Sequence, residues 1–563
     1  MGDHPIDRHV DRRQLLVGAA ALTAGALAGP LGALATGEKA PEAMTRYGRI
    51  RGYHDGPVKV FKGVPYGAPT GGENRWLPPQ PPQPWGGVKE AVAAGAMSPQ
   101  NQPAPLAEEQ AMSQTAPQSE DCLTVNISTP AVGAHSGKRP VIVWFHGGGF
   151  SAGSGNATSY DGRNLVHKQD VVLVTVTHRL NVLGFLYLGD LFGARYADSG
   201  NVGMLDCAAA LRWVHENIAG FGGDPANVTI AGQSGGGAKV AALMAMPAAS
   251  GLFHRAIGES GALLRASTQE AAAAAAKRFV DALGVTSIEQ LRSLPPDRLL
   301  AAAQPLRLMW SPVVDGRNLP RNPFDPDAPP QSRDIPFLVG TTETEATFFP
   351  MTPLDSVDDG KLQELVKGAT HANDADAAQL IAVFRRVYPG KDDTYLFQLL
   401  ASQVSLTQES VMAEAERKAE QGGAPVYVYY FVKHSPVREG KLRAVHTIEI
   451  PYVFDSLAHS APIIGPVTAE NQALADKVSA TWASFARSGN PDNPLVPHWP
   501  PFDAKNRAIM VIGDQWHAAN DPLRDTRMAI AELKTRVPQP PQGGAPPGAP
   551  PAGGPPAGQR PPG

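Results

Sequence analysis

Four residues, Val228-Thr229-Ile230-Ala231, run directly into Gly232-Gln233-Ser234-Gly235-Gly236, and a helical pattern from Ala238 to Met246 follows at once. A short strand, a turn and a helix joined this tightly leave the chain little choice. The turn has to be sharp, and Gly232 and Gly236, which carry no Cβ, let strand and helix approach while the serine between them points its hydroxyl outward. The helix N-terminus behind that serine favours negative charge. A strand that passes straight into a helix is half of a βαβ unit, so parallel neighbours are expected beside it.

Those neighbours are legible. Pro140–Phe145 and Val171–Val176 are continuous apolar runs, as expected of strands buried on both faces. From Gly203 to Ile218, Met204, Leu205, Ala208, Leu211, Val214 and Ile218 recur at helical spacing, and the run Phe221–Pro225 breaks the helix. Ile335–Gly340 and Val426–Phe431 read as later strands. The alternation predicts an α/β fold with a mostly parallel central sheet flanked by helices. The long helix-rich stretches Ser267–Ala303 and Asp355–Ser405 are expected to form cap insertions over the carboxyl edge of the sheet. With 42% hydrophobic and 18% charged residues, the 563-residue chain has ample material for a core. Its net charge of −4 carries no basic excess of the kind that marks nucleic-acid binding. The two cysteines, Cys122 and Cys207, allow neither a disulfide framework nor a zinc-ligand spacing.

The serine turn has the residue pattern G-x-S-x-G in the strand–turn–helix setting that its chemistry needs, which makes Ser234 the candidate nucleophile. Ser260, in Gly258-Glu259-Ser260-Gly261-Ala262, is the rival, although that segment lacks the second glycine. A serine attacking an acyl group creates an oxyanion that needs N–H donors already in place. After the strand ending at Phe145 comes His146-Gly147-Gly148-Gly149-Phe150, a loop of the type that supplies them. The expected donors are the N–H groups of Gly148, Gly149 and Gly235, with His146 ordering the loop.

Taken together these segments resemble the type-B carboxylesterase and cholinesterase family, over most of the folded length. The resemblance rests on Phe61–Tyr66, Ser119–Leu123, the HGGGF loop, Arg179–Asn181, Asn201–Pro225, the serine turn, Gly251–Ala256 and Pro312–Gly316. It implies the α/β-hydrolase fold and hydrolysis of carboxylic esters through an acyl-enzyme, with no metal or cofactor required. It also implies the remaining catalytic residues. The family's acid segment matches Gly340–Phe349 with Glu345 at the acid position, and Glu343 is the alternative, read as a solvated neighbour. The histidine segment matches His446–Phe454, so His446 is the expected base, flanked by His434 and His459, which have no comparable context. With a histidine as base, activity is expected to fall at acid pH, where the protonated imidazole cannot accept a proton. Two departures from the family carry information. Ser98 stands where many relatives place the disulfide partner of Cys122, so Cys122 is expected to be an unpaired, buried thiol. Gln233 precedes the nucleophile where cholinesterases have a glutamate, which weakens any case for a cationic substrate. Phe150, Trp310, Phe348 and Phe349 are candidates for an apolar gorge or, equally, plain core. A non-catalytic binding protein on the same scaffold is the alternative from another class, and such relatives typically lose the serine or the histidine.

The two ends read differently. Asp11-Arg12-Arg13-Gln14-Leu15-Leu16 precedes an uncharged apolar run to Ala35 that closes on Ala33-Leu34-Ala35. This is similar to a twin-arginine signal peptide spanning residues 1–35, with periplasmic or secreted location expected. An uncleaved anchor is the alternative, disfavoured by Pro30 and by the Gly and Ala content, so no stable membrane insertion is expected after cleavage. Residues 538–563 are almost only Pro, Gly, Ala and Gln and are expected to be a solvated tail, which leaves 36–537 as the folded domain. The expected partner is a small-molecule ester.

Overall fold

Alternate residues of the apolar runs point to opposite faces of one sheet, and each face has its own core. In the strand Arg139–Phe145, Val141, Val143 and Phe145 join one cluster, and Ile142 and Trp144 join the other. Val426–Phe431 divides in the same way, with Val426, Val428 and Tyr430 against Tyr427, Tyr429 and Phe431. Burial on both sides is what a continuous apolar run requires. The computed structural model describes residues 39–101, 106–108 and 116–537. The expected signal peptide and the expected tail lie outside the described residues.

The main sheet has eleven strands. In chain order they are β1 (Tyr53–Asp55), β2 (Val58–Pro65), β3 (Thr124–Thr129), β4 (Arg139–Phe145), β5 (Val172–Thr177) and β6 (Gly223–Gln233). There follow β7 (Arg255–Glu259), β8 (Phe337–Thr342), β9 (Val426–Phe431), β10 (Ala508–Ile512) and β11 (His517–Asn520). Their order across the sheet is β11-β10-β9-β8-β7-β6-β4-β5-β3-β2-β1. From β5 to β10 every neighbouring pair is parallel. The flanks β1-β2-β3-β5 and β10-β11 are antiparallel. Helices α1 (Val202–Asn217), α2 (Gly235–Ala245) and α3 (Leu406–Glu420) pack on one face, and α4 (Ala469–Ser488) packs on the other. This is the α/β-hydrolase arrangement. Among the described residues no helix is long and apolar enough to cross a membrane.

Two expectations need correction. The strand expected at Val228–Ala231 runs from Gly223 to Gln233, so Gly223, Asp224 and Pro225 belong to the strand rather than to a break before it. Helix α2 begins at Gly235 rather than Ala238. Three successive glycines are poor helix formers, and it is tertiary packing that holds them in the first turn.

The two long insertions are helical. The first contains Gln269–Leu283, Ile288–Ser293 and Pro296–Ala303, and the second contains Asp359–Thr370, Asp374–Val387 and Asp393–Gln403. Five of these six helices start on a Thr, Ser, Asp or Asn whose side chain accepts a hydrogen bond from a first-turn N–H, and the sixth starts with proline. The first insertion packs on Val182, Leu183 and Leu186, just beyond the carboxyl end of β5. The second donates no strand, but its Ser402 hydroxyl accepts from the Ala346 N–H, just beyond β8. Both therefore sit at the edge where the functional residues emerge.

Candidate active site

Ser234 is the first residue after β6 and has φ 58° and ψ −124°. This region is sparsely populated for a residue with a side chain, and holding it there costs about 1–3 kcal/mol. The surroundings fix it from both sides. The Ser234 N–H donates to the Glu259 carbonyl at 2.7 Å, and the Ala238 N–H donates to the Ser234 carbonyl at 3.1 Å. Behind it the chain leaves no room for a side chain at Gly261, where a Cβ would stand 1.8 Å from the Ser234 carbonyl oxygen. The side chain of Ser234 itself remains partly exposed.

The glycine loop leaves β4 and folds against this turn. A Cβ on Gly235 would lie 2.4 Å from the N, Cα and O of Gly149, so the two backbones are in direct contact. Gly148 and Gly149 have φ of 87° and 61° and are exposed. Among the described residues their N–H groups take no protein acceptor. His146 is fully buried, and burial, aided by the Lys239 charge, pushes its imidazole down to about 3. It is therefore neutral, and its Nδ1–H donates to the Gly147 carbonyl at 2.8 Å. That contact ties the His146 ring to the first glycine of the loop.

Glu345 lies just beyond β8 and is buried. Its Oε1 accepts the Thr342 N–H at 2.7 Å and the Ser260 hydroxyl at 2.7 Å, while Oε2 stands 2.5 Å from His446 Nδ1. The segment carrying His446 is tied to the strand end through a parallel bridge between Thr344 and Val445. Gln233 reaches the same imidazole, its Nε2 lying 3.2 Å from Nε2 and 3.4 Å from Nδ1. A glutamate there would put negative charge against the ring. Phe348 meets His446 edge-on at 5.1 Å between centroids, and Phe349 lies tilted at 6.2 Å.

The structure thus brings Glu345, His446 and the residue beside Ser234 into contact, with the glycine loop against the same turn. The alternatives go elsewhere. Glu343 is not a solvated neighbour: it accepts from Tyr395 OH at 2.8 Å and pairs with His434 Nε2 at 2.6 Å, well tied into the second insertion. His459 pairs with Asp161 at the surface. Ser260 is buried behind the site, with no access for a substrate. Of the aromatic candidates, Phe150 is core and packs on Phe185, Trp310 is half-buried between the sheet core and the first insertion, Phe348 is buried, and Phe349 is 44% exposed beside His446. Cys122 and Cys207 are both free and buried, and burial pushes the Cys122 thiol up to about 12.

Three neighbours of the candidate site do not stand out in the sequence. Ser260, the rival serine, bonds Glu345 instead. Glu449, three residues after His446, lies 3.2 Å from the Ser260 hydroxyl, and burial together with the Glu345 charge raises its carboxyl to about 7. Glu259 accepts the Trp482 indole N–H at 2.7 Å, and burial and Glu449 push it well above the usual carboxylate range. No local pattern marks them: Glu449 follows His446 by three residues through a turn in which Thr447 has φ 80°, and Glu259 closes β7 with Ser260 just beyond it.

A profile of the carboxylesterase family matches residues 39–531. Para-nitrobenzyl esterase of Bacillus subtilis is 35% identical over 507 residues, covering 87% of this chain and 98% of that protein. Among solved structures, a carboxylesterase of Geobacillus stearothermophilus superposes with a TM-score of 0.74 at 38% identity, covering 87% of this chain and 99% of that one. An esterase of Clostridium hathewayi, described as able to hydrolyse aliphatic aromatic polyesters, gives 0.76 at 30% identity, covering 88% and 99%. The fold, the constellation at its carboxyl edge and these likenesses agree: the chain belongs to the carboxylesterase family and is a serine hydrolase of carboxylic esters.

Proposed function

We propose that Ser234, His446 and Glu345 are the nucleophile, base and acid of this esterase, and that the N–H groups of Gly148, Gly149 and Gly235 bind the oxyanion. The observation that carries this reading is the 2.5 Å contact from Glu345 to His446, beside a serine held at φ 58° on a strand–helix turn. His446 takes the Ser234 proton through Nε2 as the hydroxyl oxygen attacks the ester carbonyl. Glu345 holds Nδ1–H and stabilises the imidazolium that forms. The tetrahedral oxyanion is met by the loop and helix N–H groups, each donor contributing about 3–4 kcal/mol at the transition state. Collapse breaks the bond to the alcohol, which leaves with the proton from His446. Water then attacks the acyl-enzyme, His446 takes its proton, and the second collapse returns that proton to Ser234 and releases the acid.

The substrate class we infer is an uncharged ester. Gln233 offers no charge to attract a cation, and Phe348 and Phe349 give His446 an apolar flank. We also propose export through the twin-arginine-type segment at residues 1–35, which N-terminal sequencing of the mature protein tests: a chain still beginning at Met1 overturns it.

Ser234→Ala tests the catalytic reading directly. Hydrolysis of p-nitrophenyl butyrate should fall by roughly 10⁴-fold or more, as for other serine nucleophiles. A loss of only a few-fold overturns the assignment. An organophosphonate should label Ser234, and an adduct mapped to Ser260 would reassign the nucleophile.

A further inference from the structure

Helix α2 is apolar except for one residue. Lys239, five positions after Ser234, is completely buried, and among the described residues no carboxylate pairs with it. Its ammonium donates to two backbone carbonyls, that of His146 at 2.9 Å and that of Gly149 at 2.8 Å, and lies 5.5 Å from the centre of the Phe150 ring. Burying an ammonium without a counter-ion is costly, so its position calls for a reason beyond filling space. Both acceptors belong to the glycine loop.

In a trans peptide the carbonyl of one residue and the N–H of the next point in opposite directions. Holding a carbonyl therefore aims the following N–H. Each carbonyl from His146 to Gly149 is held. Lys239 takes those of His146 and Gly149, His146 Nδ1–H takes that of Gly147, and the N–H groups of Ser151 and Ala152 take that of Gly148. The two peptides that carry the Gly148 and Gly149 N–H groups are thus bracketed by the two that Lys239 grips. Glycine contributes no side-chain packing of its own to fix a loop, so the bracket replaces it. The same grip ties the loop to the helix that begins beside Ser234, which sets donors and nucleophile in one rigid frame.

We propose that Lys239 is a positioning residue for ester hydrolysis: its Nζ clamps the His146 and Gly149 carbonyls, in the peptides immediately before and after the two that carry the Gly148 and Gly149 N–H groups, and so fixes the loop that presents those N–H groups to the oxyanion. This rests on the oxyanion role proposed above for those glycines. The clamp acts in the transition state, where the oxyanion exists, and hardly at all on the ground-state ester. Its loss should therefore appear in kcat and leave KM nearly unchanged.

The test uses the full chain with Lys239→Met, which keeps length but has no donor, and Lys239→Ser, which is small enough to fold if Met does not. Both are compared with the parent for kcat and KM on p-nitrophenyl butyrate, for inhibition by an alkyl trifluoromethyl ketone, and for Tm. The ketone forms a tetrahedral adduct with the nucleophile whose oxyanion depends on the same N–H groups. The expected result is a kcat lower by about 10- to 100-fold with KM within about twofold, and a ketone Ki raised by the same factor as kcat/KM falls. A variant whose kcat and ketone Ki stay within about twofold of the parent overturns the proposal, whatever happens to Tm, because a purely structural lysine moves Tm alone. Ser234→Ala run in parallel separates the two readings. If it is inactive while Lys239→Met behaves as the parent, only the clamp fails; if it is active, the catalytic reading beneath the clamp fails.

Discussion

A single hydroxyl behind the proposed triad bears on how firmly Glu345, its proposed acid, is held. Ser260 lies 2.7 Å from Glu345 Oε1 and 3.2 Å from Glu449 Oε1, but a hydroxyl has one proton to give. The shorter contact takes it, and Glu345 receives a hydrogen bond in its charged form. Glu449 then completes the chain as an acid, its O–H donating to Ser260, because burial and the Glu345 charge raise its carboxyl to about 7. That proton stays on below about pH 7 and is lost as the pH rises through it, which leaves two buried carboxylates competing for one hydroxyl. Ser260→Ala removes the shared donor. A hydrogen bond to a charged group contributes about 1.5–3 kcal/mol, so kcat should fall by roughly 10- to 100-fold with KM little changed. Steady-state kinetics at pH 6.5 check it, and a kcat within twofold of the parent would show that the Thr342 N–H holds Glu345 unaided.

Strand β7 shows why the same short run of residues reads one way in sequence and another in the fold. Gly258-Glu259-Ser260-Gly261 looks like a second, weaker serine turn, yet it forms the wall behind the first one. Its two glycines stand in opposite circumstances. A Cβ at Gly258 meets the Phe337 ring at 3.4 Å, an ordinary contact, whereas a Cβ at Gly261 falls 1.8 Å from the Ser234 carbonyl oxygen and 2.6 Å from its carbonyl carbon. Both of those are backbone atoms of the strained turn and cannot swing away. Gly258→Ala should therefore keep kcat within about twofold and shift Tm by at most a few degrees. Gly261→Ala must push the Ser234 turn out of place and should lower kcat by well over tenfold, beyond the approximately 1–3 kcal/mol usual for overpacking. Thermal melts and kinetics on the pair decide it: equal behaviour of the two variants would show that the wall yields and does not fix the turn.

Across the whole molecule, legibility followed the environment of each segment. The parallel centre was readable because strands buried on both faces carry continuous apolar runs, as in β4, β5 and β9. The antiparallel flank was not, since β3 reads Thr-Val-Asn-Ile-Ser-Thr and β1 has three half-buried residues, patterns that also suit loops. Strand β7 escaped because Arg255 and Glu259 at its ends look solvated, while Glu259 is buried on Trp482. Ser234, Glu345 and His446, the proposed triad, stand in local motifs that the sequence displays. Ser260, Glu449 and Lys239 meet the site through contacts that only the fold makes. Buried titratable groups of this kind also set how stability varies with pH. Glu414, in α3, accepts the Leu263 N–H at 2.7 Å, and burial pushes its carboxyl from 4.5 up to about 8. The unfolded chain releases that proton near pH 4.5 and the folded chain keeps it to about pH 8. The stability contributed by Glu414 is therefore fully present below about 4.5 and lost as the pH rises through about 8, the sign for a raised folded value. Lys239 works the other way, because burial lowers its ammonium from 10.5 to about 7, so its cost is present below about 7 and eases toward 10.5. Glu414→Gln keeps the acceptor for Leu263 and abolishes the titration. Its Tm relative to the parent should rise between pH 5 and pH 9 by roughly 3–6 °C, on the order of 1–2 °C per kcal/mol for a chain of this size. Melting curves that stay parallel over that range would mean that Glu414 is ionised in the folded protein at neutral pH and that its burial is relieved by another group.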